Sequence, residues 1–111
     1  MQKSDRDPRL AVLIEKVGLT DDERQALRLD EELDLGGGVA ISRGHLLTDL
    51  ICGMSIVLGS YSKAAFWLRE RHRHLLRVPM SHVQDDDALI TLSQDALERA
   101  YVIAAIREVL P

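Results

Sequence analysis

Cysteine is almost absent from this chain: Cys52 is the only one in 111 residues. A single thiol excludes an internal disulfide framework and a zinc site built on several cysteines. Cys52 lies in the apolar run Leu50-Ile51-Cys52-Gly53-Met54, where it reads as a buried, inert thiol and not as a nucleophile. Aromatic residues make up only 4% of the chain, so the core has to come from Leu, Ile, Val and Ala, the set that fills packed helices. So few rings also argue against a stacking platform for single-stranded nucleic acid. Positive charge is not in excess either. Fourteen Lys and Arg against eighteen Asp and Glu leave a net charge of −4, which gives no general pull towards DNA or an anionic membrane. No apolar stretch reaches the ~20 residues that span a bilayer, and the first ten residues are too polar for a signal peptide. The expectation is a cytoplasmic protein with no membrane partner.

What is present is helical patterning. Its length and its 46% apolar content suit one domain with one core. Pro8 is placed for a first helical turn, and Leu10, Val12, Leu13, Ile14 and Val17 follow at helical spacing up to a stop at Gly18. Thr20 and Glu23 form a capping-box pattern ahead of a short helix carrying Leu27 and Leu29. Asp30 to Asp34 is an acidic patch, and Gly36-Gly37-Gly38 then interrupts regular structure. A triple glycine can cradle a phosphate between a strand and a helix. No clear strand precedes this one and no Lys-Ser/Thr pair follows, so it reads as a flexible turn.

Ser42 caps an expected third helix from Arg43 to Leu58, ended by Gly59, and a fourth is expected from Tyr61 to Leu76. Pro79 and Asp85-Asp86-Asp87 mark a connection. Leu89 to Leu92 reads as a short extended piece or a loop. Ser93 then caps a last helix from Gln94 to Val109, with Leu97, Ala100, Tyr101, Ala104, Ile106 and Val109 facing inward. The fold class is therefore mainly all-α, a compact bundle of about five helices.

Residues able to do chemistry are not grouped for it. His72 and His74 would stand about 200° apart on a helix, unable to share a metal, and neither His45 nor His82 belongs to a metal-binding spacing. No serine sits in a nucleophile-elbow setting. The carboxylates of Asp21-Asp22-Glu23, Asp30-Glu31-Glu32 and Asp85-Asp86-Asp87 lie in polar runs that would not desolvate one partner. No catalytic residue, metal or cofactor is expected, and the chain is not expected to be an enzyme. One stretch departs from the acidic background. Lys63, Arg69, Arg71, Arg73 and Arg77 lie within fifteen residues and are opposed only by Glu70. This is a solvated helix face or a docking surface, with Trp67 as its apolar anchor.

From Leu46 onward the order of parts resembles the toxin-binding domain of the Xre/MbcA/ParS antitoxin family. The parts are the apolar helix Leu46-Leu47-Thr48-Asp49-Leu50-Ile51, the break Gly59-Ser60, the helix Lys63-Ala64-Ala65-Phe66-Trp67-Leu68-Arg69, the turn Arg77-Val78-Pro79 and the closing helix Leu97 to Leu110. The chain departs from the family by having Glu70-Arg71-His72 where Pro-Asn is common, and Leu75-Leu76-Arg77-Val78 where glycines precede the turn proline. Residues 1–45 would be a short, degenerate helix-turn-helix-like segment, and 46–111 the toxin-binding-like domain. The resemblance implies a homo-oligomeric antitoxin that captures a cognate RES-domain, NAD-consuming toxin and occludes its active site, with Trp67, Arg69, Arg71, Arg73 and Arg77 as the partner-binding residues. Glu31-Glu32 stands where a recognition helix would offer basic or amide side chains to DNA. Two alternatives stay open: a small helical DNA-binding transcriptional regulator, or a homo-oligomeric adaptor or inhibitor of another protein.

Overall fold

The computed structural model describes residue 11, residues 13–70 and residues 78–109. The described chain is mainly helical, as its composition suggests, and carries one two-stranded sheet. It opens with a π-helical turn, Leu13–Val17, that buries Leu13 and Val17 and leaves Ile14 outside. Gly18 ends the turn at φ +71, and Leu10 and Val12 lie outside the described residues.

Helix α1, Asp21–Leu27, starts on the capping box read from the sequence. The Glu23 N–H donates to Thr20 Oγ1 at 3.1 Å, and the Thr20 N–H donates to Glu23 Oε1 at 3.0 Å. Two otherwise orphaned amides are satisfied in one exchange. The helix stops at Arg28, which adopts the left-handed region at φ +52 without being glycine. Its guanidinium compensates, donating to Glu31 Oε1 at 3.2 Å and to the Gln84 carbonyl at 2.6 Å.

The triple glycine is not a flexible turn between loops. It closes a hairpin of β1, Glu32–Gly36, and β2, Val39–Ser42, paired antiparallel with Leu33 opposite Ile41. Gly37 and Gly38 both have positive φ, +62 and +80, the geometry of a two-residue type I′ turn whose twist matches the strands. The register shifts between Asp34 and Gly36, where the Asp34 carboxylate accepts the Gly36 N–H at 2.8 Å. Leu33 is buried in β1 and its partner Ile41 packs half-buried against the same cluster, so the hairpin is anchored through this cross-strand pair while its tip is exposed.

Helix α2, Arg43–Leu58, is capped by Ser42 and ended by Gly59 at φ +104, the limits expected from sequence. It buries Leu46, Leu47, Leu50 and Ile51. The division expected between residues 45 and 46 falls inside this helix, and one hydrophobic cluster joins Leu13, Leu27 and Leu33 to Leu50, Leu68 and Leu89. Helix α3, Tyr61–Arg69, is capped by Ser60, whose Oγ accepts the Lys63 N–H at 3.1 Å. It is shorter than the expected span to Leu76, because Glu70 is extended at φ −98, ψ 149; Leu75 and Leu76 lie outside the described residues. Helix α4, Pro79–His82, is a single turn with proline at its first position.

Helix α5 runs from Asp86 to Val109 and absorbs the segment Leu89–Leu92 that reads as extended or loop. Its start is held by Asp85, whose Oδ2 accepts the Ala88 N–H at 3.2 Å. Ser93 is not a cap: it is buried within the helix and donates to the Ile90 carbonyl at 2.9 Å. Arg43 meets Asp86 and Gly53 abuts Ala96, with the same sequence offset at both points, so α2 and α5 run parallel. A Cβ added to Gly53 would lie 2.8 Å from the Ala96 carbonyl carbon, closer than real side-chain carbons approach. This glycine is what lets the two axes come together.

Candidate functional site

The parallel helices are pinned by an arginine that sequence reading passed over. Arg43 is 0% exposed. Its Nε donates to the Leu27 carbonyl at 2.9 Å, and its two terminal nitrogens donate to the Val83 carbonyl and the Asp86 carboxylate. One guanidinium thus joins α1, the end of α4 and the start of α5. Burial pulls its pKa below the ordinary arginine value, and Arg28 nearby acts in the same direction, while Asp86 and Glu31 oppose them. The group remains charged, as a guanidinium does in proteins, and this site is structural.

Of the five residues expected to bind a partner, two are described. Trp67 is half-buried and packs against the core cluster from the side of α3. Arg69 faces its own chain. Nε and one terminal nitrogen grip the two Glu23 carboxylate oxygens at 3.1 and 3.0 Å, and the Val17 carbonyl accepts at 3.0 Å. This fork fastens the end of α3 to the capping box of α1. The Arg69 hydrogen bond is the main reason that Glu23 has a lowered pKa, with Thr20 adding to the effect and burial opposing it. Arg71, Arg73 and Arg77 lie outside the described residues.

The outward side of α3 is different in kind. Ala64 and Leu68 face the core, one turn apart, which turns Phe66 away from it. Phe66 is 67% exposed. Ser62, Lys63 and Glu70 are exposed around it, so an aromatic ring stands inside a polar margin, the layout of an interface anchor. Sequence reading kept Phe66 only as part of a motif. The signal that locates it was there: it lies two residues from both inward positions, about 200° round the helix.

The second exposed surface is on α5. Leu97, Tyr101 and Ile106, expected to face inward, are 44%, 78% and 51% exposed, and Val102 is 56% exposed. Ala104 is exposed as well, whereas Ala100 is buried as expected; the side chain of Val109 is not described. Leu97, still level with α2, is turned to the side of the contact, but for the residues from Tyr101 onward the reason is length. With Gly53 opposite Ala96, the end of α2 at Leu58 comes level with Tyr101, and α5 continues for another two turns.

Candidate chemistry stays dispersed. Among the described residues no three of His, Cys, Asp and Glu are grouped to hold a metal ion. Cys52 is half-buried, not fully enclosed, with Sγ 3.6 Å from the Tyr61 hydroxyl. That contact, with burial, raises the Tyr61 pKa. His45 pairs with Asp49 at 3.4 Å along one face of α2. No single described helix is long and apolar enough to cross a membrane.

Set beside known proteins, the chain matches no protein-family model, no curated protein and no solved structure.

Proposed function

We propose that this chain is an antitoxin-type binding module that neutralises a RES-domain, NAD-consuming toxin by covering its active site, and that it performs no chemistry itself. The observation that carries the reading is Phe66, a large ring exposed within a polar margin on α3. A residue so placed gains by being desolvated against a partner, while the polar groups around it keep water out once docked. The order of parts in the resemblance supports the same reading: apolar α2, the break at Gly59-Ser60, α3 with the Trp67-Leu68 pair, the turn at Pro79 and the closing helix within α5. Occlusion is a steric act, so NAD⁺ is bound by the toxin alone and this chain has only to present a stable face. The DNA-binding alternative would use the basic stretch Lys63 to Arg77, of which Lys63 and Arg69 are described, and Arg69 is engaged with the Glu23 carboxylate.

Growth rescue tests the proposal. Expression of a RES-domain protein encoded beside this chain is expected to arrest cells, and co-expression of this chain to restore growth. Phe66→Asp is expected to abolish the rescue while the variant's helical circular dichroism stays unchanged. A wild-type chain that fails to restore growth, or a Phe66→Asp variant that restores it fully, counts against the reading.

A further inference from the structure

We infer that the outer edge of β1 is a docking edge for an extended basic segment of another protein, which adds a third strand to the hairpin. The inference goes beyond the antitoxin reading and needs no toxin, since it rests on a different surface from Phe66.

Among the described residues the sheet has two strands, so the far side of each is unpaired. Antiparallel partners alternate between pairs that exchange backbone hydrogen bonds and pairs that do not. The Arg43 N–H donates to the Glu31 carbonyl at 2.8 Å across the base of the hairpin, which turns the backbone groups of Glu31 and Leu33 towards β2. Those of Glu32 and Asp34 then point outward along the open edge. Their side chains share the face of β1 opposite Leu33, and both are exposed.

Charge decides what can pair there. Residues 29–42 hold four acids, Asp30, Glu31, Glu32 and Asp34, and no base. The other fourteen acids of the chain are matched by its fourteen Lys and Arg, so the net charge of −4 resides in this segment. Glu31 is compensated by Arg28 at 3.2 Å. Glu32 and Asp34 form no ion pair among the described residues. Strand β2 carries no charged residue, which singles out the β1 edge.

Acidic side chains along an edge hold off neutral and acidic strands, a second copy of this hairpin included. A strand with Lys or Arg at alternate positions gains where those lose. Each basic side chain comes within about 5 Å of Glu32 or Asp34, while the backbone groups of the edge are satisfied. Apolar residues between the basic ones fall on the opposite face, beside Leu33 and towards Leu35, which is 43% exposed near the tip.

A labelled peptide of alternating Lys and Val, about eight residues long to span one strand, tests this against the full chain by fluorescence anisotropy. The expected dissociation constant is about 10–100 µM, with slower amide exchange at Glu32 and Asp34 by NMR. An isomer with its Lys and Val in separate blocks is expected to bind about tenfold more weakly or worse. So is the alternating peptide methylated on its lysine backbone nitrogens, which keeps the charge and loses the donors. Glu32→Lys combined with Asp34→Asn should weaken binding to the same degree. Helical content and melting temperature should be retained, because both side chains are exposed and asparagine keeps an acceptor for the Gly36 N–H. No binding at about 1 mM peptide, well above the expected range, overturns the inference. So does unchanged amide exchange, a control peptide that binds as tightly as the alternating one, or a double variant that binds as wild type does. Phe66→Asp is expected to bind the peptide normally, so lost growth rescue would leave this inference standing, whereas lost peptide binding in that variant would overturn it.

Discussion

The two halves of α5 are built from similar residues and meet opposite fates. From Asp86 to Ala96 the helix lies along α2, with Leu89, Ser93 and Ala96 enclosed and Arg43 clasping its first turn. From Leu97 to Glu108 it carries more apolar side chains, eight against five, and covers few of them. The difference lies not in the residues but in what stands opposite. A leucine is a core residue when a neighbouring element closes over it, and a solvent-facing one when nothing does.

The first half should therefore be sensitive to single substitutions and the second tolerant, and that contrast can be broken at graded points. Arg43→Ala should have the largest effect. It leaves the Leu27 and Val83 carbonyls without donors and Asp86 without its buried partner, at a cost of about 3–5 kcal/mol in urea denaturation. Arg43→Lys should restore little, since one ammonium cannot reach three acceptors set around a planar fork. Gly53→Ala should come next. Its methyl group meets the Ala96 backbone, and after a gain of up to ~1 kcal/mol in helix propensity a net loss of about 1–2 kcal/mol is expected, read as a lower melting temperature.

Arg69→Ala should cost about 1–2 kcal/mol, a value reduced because the guanidinium is partly open to solvent. It should also flatten the acid limb of the stability profile. Glu23 is lowered when folded, so its contribution is complete above the ordinary glutamate range and is lost as pH falls through the folded-state value. Denaturation midpoints followed down the acid range should show wild type losing stability faster than the Arg69→Ala variant. The smallest effect belongs to the second half of α5. Tyr101→Ser should shift stability by no more than about 0.5 kcal/mol, checked by urea denaturation, because the side chain is mostly exposed. A loss comparable to Gly53→Ala would erase the contrast between the halves.

Local signals were legible in the chain and non-local ones were not. Ser42 with His45, Thr20 with Glu23, and Gly59 marked helix limits correctly, because each cap is a contact between residues a few positions apart. The hairpin escaped because its strands alternate over only four or five residues and gain their meaning from pairing across Gly37-Gly38. Ser93 looked like a cap, yet the helical pattern already begins at Asp86. For the candidate site, helical spacing already turned Phe66 away from Ala64 and Leu68. Nothing local could foretell that Arg69 reaches back to Glu23, or that Tyr101 is left mostly exposed, since both depend on where distant segments lie.

The notch at Gly53 also decides how α5 can travel along its neighbour. A slide of one turn that brought Leu92 to the notch would drive an isobutyl group into backbone and is sterically barred. A slide the other way would present Ala100, whose methyl is the same size as the one it replaces. That direction would still pull Asp86 away from Arg43 and shift Leu89 and Ser93 out of their buried places. The register of the helix pair is therefore held sterically at the notch and electrostatically at the first turn.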